Sequence, residues 1–243
     1  MTFSSKSGWT SFLFRRLAIG VVVASVASSA AYLHAEDLNS VLGKLDAASA
    51  KFKSAQADIT WDNVQVAPLP DTDTQAGTVL FERSGGQLEM ALHLKSDNGK
   101  PVEKDLVYSS GLLKLYEPRL KQLQVFKAGN NRSQLDTFLT LGFGGSGKDL
   151  DKNWTVTYVG TESVDGVSAA KLQLVPRDAS VANTVAKAFL WINSENGSAV
   201  RQQFFDPSGN YRMVSYRNVR QNAPVSSGAF EIKTAPGTNI VNR

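Results

Sequence analysis

Gly142-Phe-Gly-Gly-Ser-Gly147-Lys148 comes nearest to a reactive motif in this chain. A Gly-x-x-x-x-Gly-Lys run followed by Ser or Thr cradles phosphates with its backbone N–H groups, reaches them with the lysine and holds magnesium through the hydroxyl. Here Asp149 stands at the hydroxyl position, an anion beside the supposed phosphate, and the run follows a helix-like segment instead of a strand. The stretch therefore reads as a mobile, glycine-rich loop beside a short helix, with no nucleotide attached.

Other chemistry is thin. The chain has no cysteine, which removes thiolate nucleophiles, disulfides, Cys-ligated zinc and a lipid-modified N-terminal cysteine. His93 alternates with exposed-looking residues and reads as a surface side chain. Asp71 with Asp73 and Asp149 with Asp151 are acidic pairs that do not extend into a calcium-loop spacing, and they read as solvated loop charge. The aromatic residues are not interleaved with a basic stripe, so no nucleic acid is expected. No metal, no cofactor and no catalytic residue is expected, and the chain is expected not to be an enzyme. Two carboxylates brought together from distant parts of the chain stay open here, because that geometry leaves no mark on local spacing.

Residues 1–35 read as a cleavable export signal. Lys6, Arg15 and Arg16 form a positive start, Leu17 to Ala31 a short apolar run, and small residues follow around Ala30 and Ala35. The run is shorter than the roughly 20 residues of a spanning helix. Cleavage after Ala35 would remove three of the 26 basic residues and none of the 22 acidic ones, so the mature charge would be +1. The sequence pI near 9.2 is then no argument for a polyanionic partner. Residues 36–243 are long enough for a single domain with a core of its own.

The elements that must position anything in this chain come in two periods. Asp37 to Gln56 repeats apolar residues at helical spacing, through Leu38, Val41, Leu42, Leu45, Ala48, Phe52 and Ala55, with Asp37 as the cap. Such a helix lies with one face on a sheet or over a groove. From Ala57 the period falls to two. Strands are predicted near Ile59–Trp61, Gly77–Arg83, Gln87–Lys95, Lys104–Ser109, Leu112–Tyr116 and Gln122–Lys127. Others are predicted at Trp154–Gly160, Ala169–Pro176, Ala186–Asn193, Ala199–Phe205 and Tyr211–Val219, with a last short one at Phe230–Ile232. Residues 67–75 read as a loop, and Ser133–Leu141 as a short helix. Asp97-Asn-Gly-Lys100, Asp165-Gly166 and Asn196-Gly197 mark hairpin turns. The economical reading is one antiparallel sheet, which with so many strands curls or splits.

What remains is apolar area, on the helix, on the Leu88–Leu94 face and in the Phe138–Phe143 segment. Either these faces fill a core, or a curved sheet leaves a cavity for an apolar ligand. Periodicity does not separate the two.

The layout resembles the outer-membrane lipoprotein carrier and sorting family, the LolA-type periplasmic proteins. The order of signal, amphipathic helix, long strand pairs, central helical segment and hairpins is similar. Gly77-Thr-Val-Leu-Phe-Glu-Arg83 resembles that family's second strand with its basic end. Gly111-Leu-Leu-Lys-Leu-Tyr-Glu-Pro118 and Asp165-Gly166 with Ala170-Lys-Leu-Gln-Leu-Val-Pro176 resemble later hairpins, and Phe230 with Pro236-Gly237 the closing segment. The family's Arg-Pro step and aromatic-rich strand are absent, since Ser84-Gly85-Gly86 follows Arg83.

The resemblance implies a mainly β (α+β) fold, a strongly curved, incomplete antiparallel barrel whose mouth is covered by helices. It implies a cavity for acyl chains of lipoproteins or lipids. On the first strands the wall would be Leu88, Met90, Leu92, Leu94, Leu113 and Leu115. Farther along it would be Trp154, Val156, Leu190 and Ile192. The lid would comprise Leu38, Val41, Leu42, Leu45 and Phe52 of the helix, with Phe138, Leu139, Leu141 and Phe143 of the central segment, and Arg83 would control it. A periplasmic monomer is implied, with an inner-membrane transporter as donor and an outer-membrane protein as acceptor. A different class stays open, an exported β module without catalysis that binds a protein partner through an apolar patch.

Overall fold

The computed structural model describes residues 37–129, 138–139 and 141–243. The export signal read over residues 1–35 and most of the helix read over 133–141 lie outside the described residues. Helix α1 spans Leu38–Lys51, capped by the Asp37 carboxylate, which accepts from the Ser40 N–H at 2.7 Å. Its apolar stripe places Val41 and Leu45 in the interior. The sequence predicts five more helical residues, through Gln56. The helix stops earlier because Asn222 takes the Lys53 N–H at 2.8 Å and donates to the Lys51 carbonyl at 3.2 Å, turning the chain into a strand. Ala55 is indeed buried, but from a strand.

Twelve strands follow among the described residues. The first six are β1 (Ser54–Gln65), β2 (Asp71–Ser84), β3 (Gln87–Asp97), β4 (Lys100–Ser109), β5 (Leu112–Glu117) and β6 (Gln122–Lys127). After helix α2 (Gly147–Asn153) come β7 (Trp154–Val164) and β8 (Val167–Pro176). The one-turn helix α3 (Ala179–Ala182) leads to β9 (Lys187–Asn193), β10 (Ala199–Phe205), β11 (Tyr211–Gln221) and β12 (Asn239–Asn242). Their order in the sheet is β12-β6-β5-β4-β3-β2-β1-β11-β10-β9-β8-β7. Two runs of hairpins are thus joined through β1 and β11, and the sheet ends on β12 and β7 without closing.

Three further expectations are corrected. Residues 71–75 are strand, since β1 and β2 stay paired out to Gln65 opposite Asp71. Cross-strand polar bonds, such as the Thr74 hydroxyl donating to Asp62 at 2.8 Å, replace the apolar alternation that marks a strand in sequence. Phe230 and Ile232 form no strand. The closing strand is β12, and it runs parallel to β6 in an otherwise antiparallel sheet.

The third correction concerns the glycine-rich run, which is packed. Phe143 is 1% exposed and stacks on Phe81 at 4.7 Å with the rings 13° apart. Gly147 lies against the backbone of Leu42, where a Cβ would stand 2.3 Å from the carbonyl oxygen. Asp149, which spoils the phosphate motif, has a structural role. Its N–H donates to the Ser146 hydroxyl at 3.0 Å and its carboxylate accepts from that hydroxyl at 2.6 Å, which starts α2.

Laid flat, twelve strands would be roughly 50 Å across. Yet a single apolar cluster takes in Ile59 of β1, Tyr108 of β4, Leu172 of β8 and Trp154 of β7, with Val41 of α1 against them. The sheet is therefore strongly curved, with α1 and the glycine-rich run on its inner side. This is the open, incomplete barrel that the resemblance implies.

Candidate functional site: an apolar interior beneath a latched helix

Strand alternation sends every second side chain of β3 inward. Leu88, Met90, Leu92 and Leu94 are all buried in the one cluster. Met90 stands opposite Phe81 on one side and Tyr108 on the other. Trp154 and Val156 of β7 and Leu190 and Ile192 of β9 belong to the same cluster, although they come from the far half of the sheet. Leu113 packs against it from β5, and Leu115, on the same face of β5, is half-buried outside the described cluster.

The covering side is equally apolar. Val41, Leu45, Leu141 and Phe143 are part of the cluster, and Leu38, Leu42, Phe52, Phe138 and Leu139 pack against it. The residues read as wall and those read as lid therefore share one interior.

Arg83, at the end of β2, ties the two covering pieces together. Its guanidinium donates to the Ser49 carbonyl in the last turn of α1 at 2.9 Å, and to the Gly144 carbonyl of the glycine-rich run. The Ser49 hydroxyl donates to the same Gly144 carbonyl at 2.7 Å. The guanidinium also lies 5.5 Å from the centre of the Phe52 ring, a cation–π distance. One arginine fork thus spans helix, loop and an aromatic ring, which a lysine could not reproduce.

Two further inner residues escape a reading by composition. Tyr216 of β11 meets Phe143 edge-on at 4.9 Å and donates to the Gln202 side chain at 3.0 Å. Gln202, itself buried, donates to the Leu141 carbonyl. This polar thread moors the start of the glycine-rich run to β10 and β11, and burial pushes the Tyr216 phenol well above its ordinary value. The signal was present, since alternation through β10 places Gln202 on the inward face among apolar neighbours.

Among the described residues, Trp154 carries the interior's unanswered side-chain polar atom. It is 1% exposed, and its indole N–H has no hydrogen-bond acceptor. The other described tryptophans are satisfied, Trp61 by Asn63 at 3.2 Å and Trp191 by Glu162.

The outer face mixes polar side chains with a second, smaller apolar cluster of Val164, Ala169, Trp191 and Val200, against which Val167 and Phe189 pack. His93, read as a surface residue, is half-exposed there and meets Asp105 at 2.6 Å. Lys171 lies 4.7 Å from the centre of the Trp191 ring and 5.1 Å from that of Phe189. The Trp191 N–H holds the Glu162 carboxyl below its ordinary value; partial burial opposes this and Lys171 and Arg201 reinforce it. Among the described residues no group of three or more His, Asp or Glu converges as metal ligands would. None of their helices is long and apolar enough to cross a membrane.

No protein-family model matches this chain. A protein of Cupriavidus taiwanensis named outer-membrane lipoprotein carrier protein is 25% identical over 193 residues, covering 79% of this chain and 82% of that one. Among solved structures, an uncharacterized conserved protein from Thermus thermophilus aligns over 84% of this chain and 98% of its own. The TM-score is 0.52 and the identity 11%. MucB aligns over 81% of this chain at a TM-score of 0.50 and 14% identity, and this chain spans only 62% of MucB. At such identities the two structures speak for the fold alone. The sequence likeness to an outer-membrane lipoprotein carrier runs along about four-fifths of both chains at 25% identity, and the resemblance to LolA-type proteins in the order of elements extends to an open, curved sheet covered by a helix.

Proposed function

We propose that this protein is a periplasmic carrier without catalytic activity, which holds acyl chains of lipids or lipoproteins against the inner face of its sheet and moves them towards the outer membrane. The observation that carries the reading is the Arg83 latch. An interior made only for stability has no need to join its cover through one cationic side chain gripping backbone carbonyls of two separate pieces. Exposing an acyl chain to water costs about 0.8 kcal/mol per methylene, so a chain of ~15 methylenes costs ~12 kcal/mol and crosses an aqueous space only inside a sheath. The sheath must also open, and the Arg83 latch joins the two covering pieces so that they move together, at the cost of the apolar area they uncover. Donor and acceptor would be an inner-membrane transporter and an outer-membrane protein, each meeting a monomeric carrier.

The rival reading, a module that docks a protein through an apolar patch, finds less support. The exposed large apolar residues, Val66, Leu69, Leu120, Val159, Val175 and Ile240, are spread over the β1–β2 tip, the turn before β6, β7, β8 and β12. Isolated exposed apolar residues are ordinary on protein surfaces.

Native mass spectrometry of the protein released gently from the periplasm tests the proposal. Bound acyl lipids or lipoproteins should appear and be lost on delipidation; a protein free of lipid under every loading condition overturns it. Leu92→Glu places a carboxylate in the wall and should abolish loading with the far-UV spectrum retained. Should that variant fail to fold, Leu113→Asn at a half-buried wall position should lower loading in its place.

A further inference from the structure

An indole N–H buried without an acceptor is costly, and buried tryptophans ordinarily find a partner for it. Phenylalanine would fill the Trp154 position with apolar surface and no orphaned donor. Its surroundings are aromatic, with Phe138 edge-on to the indole at 5.7 Å and Phe204 beyond it, 6.0 Å from Phe138. The backbone carbonyl of Trp154 is occupied by the Arg177 guanidinium at 3.1 Å, so the side-chain N–H alone is left over. Trp154 opens β7, an end strand of the sheet, directly after α2, whose Asp149, Asp151 and Lys152 are exposed.

We propose that the Trp154 Nε1–H is the hydrogen-bond donor for the carbonyl oxygen by which an acyl chain is joined to its head group, as an ester or an amide. The assignment rests on the carrier reading above and adds to it a polar fixed point. Hydrocarbon slides freely along an apolar wall, because no contact prefers one methylene over the next. A single donor at one end of β7 sets the register. The carbonyl is held at the mouth, the tail runs inward along β7 to β10, and the head group is left near solvent. The acceptor it fits is the one feature that all acyl esters and amides share and that alkanes lack, so the site selects acyl cargo from other apolar molecules.

The test uses the delipidated full chain with two probes of matched length, methyl laurate and tetradecane, measured by displacement of a fluorescent apolar dye. Trp154→Phe should weaken methyl laurate roughly tenfold more than it weakens tetradecane, the difference being the worth of one buried hydrogen bond. An equal change in both probes overturns the assignment and leaves the carrier reading standing. Failure of the native protein to bind either probe sinks the carrier reading itself, and the assignment with it. Should the variant not fold, the native protein still decides the matter. With carbonyl-labelled laurate ester the bound carbonyl stretch should fall below its frequency in alkane, and an unshifted band overturns the assignment.

Discussion

Arg83 holds its place through geometry more than through charge. Ser49 and Gly144 offer carbonyl oxygens, and the guanidinium satisfies both while resting on Phe52. Hydrogen bonds involving a charged donor contribute about 1.5–3 kcal/mol each, and here they act between the last turn of α1 and a loop. Arg83→Ala should therefore loosen those two segments and little else. Amide exchange over residues 49–52 and 141–145 should accelerate at least tenfold, while β3 and β9 keep their rates. Uniform acceleration would show instead that Arg83 braces the whole fold. Sequence placed this residue only by resemblance. The partners that give it meaning lie 34 and 61 residues away, and no local pattern records them.

At the scale of elements, α1 and the strands with apolar alternation were legible, because one periodicity and one buried face decide them. The inner face of β3 could be named from alternation alone, whereas β9, with Phe189-Leu-Trp-Ile192 apolar on both faces, could not. Elements whose cause lies elsewhere were not legible: the polar start of β2, fixed by its pairing with β1, and β12, fixed by β6. Helix α2 was readable in principle from the Ser146-x-x-Asp149 cap, hidden under a stronger-looking phosphate motif. The packing of α2 on α1 makes a paired prediction. Gly147→Ala would push a Cβ to 2.3 Å from the Leu42 carbonyl oxygen and should destabilise by about 1–3 kcal/mol. Gly43→Ala, exposed on α1 with nothing within 4 Å of the new atom, should stabilise by up to about 1 kcal/mol. Urea unfolding reads both signs, and a neutral Gly147→Ala would mean that the helices are not in close contact.

Across the whole molecule the sheet has two ends to protect. One is covered by β12, whose pairing with β6 is extended by the Asn239 N–H on the Lys121 carbonyl at 2.8 Å and the Arg243 N–H on Val125 at 2.9 Å. Residues 222–238 lead to it, pinned near their end where the Ala235 N–H meets the Tyr116 hydroxyl at 2.9 Å. Truncation after Gly237 would expose the β6 edge, a template for another chain. Light scattering should then show concentration-dependent association that the full chain lacks; a truncated protein as monodisperse as the parent would mean that β12 is no guard.

The gap between β7 and β12 has a mechanical meaning as well. In a closed barrel, strand number and shear set the bore, and widening it means breaking a ladder. This sheet is a split ring. Its strands can twist against one another and let the diameter grow or shrink while every pairing persists, the springing apart of β7 and β12 taking up the difference. In the carrier proposed above, a clip of this kind would grip one chain or several with the same set of bonds.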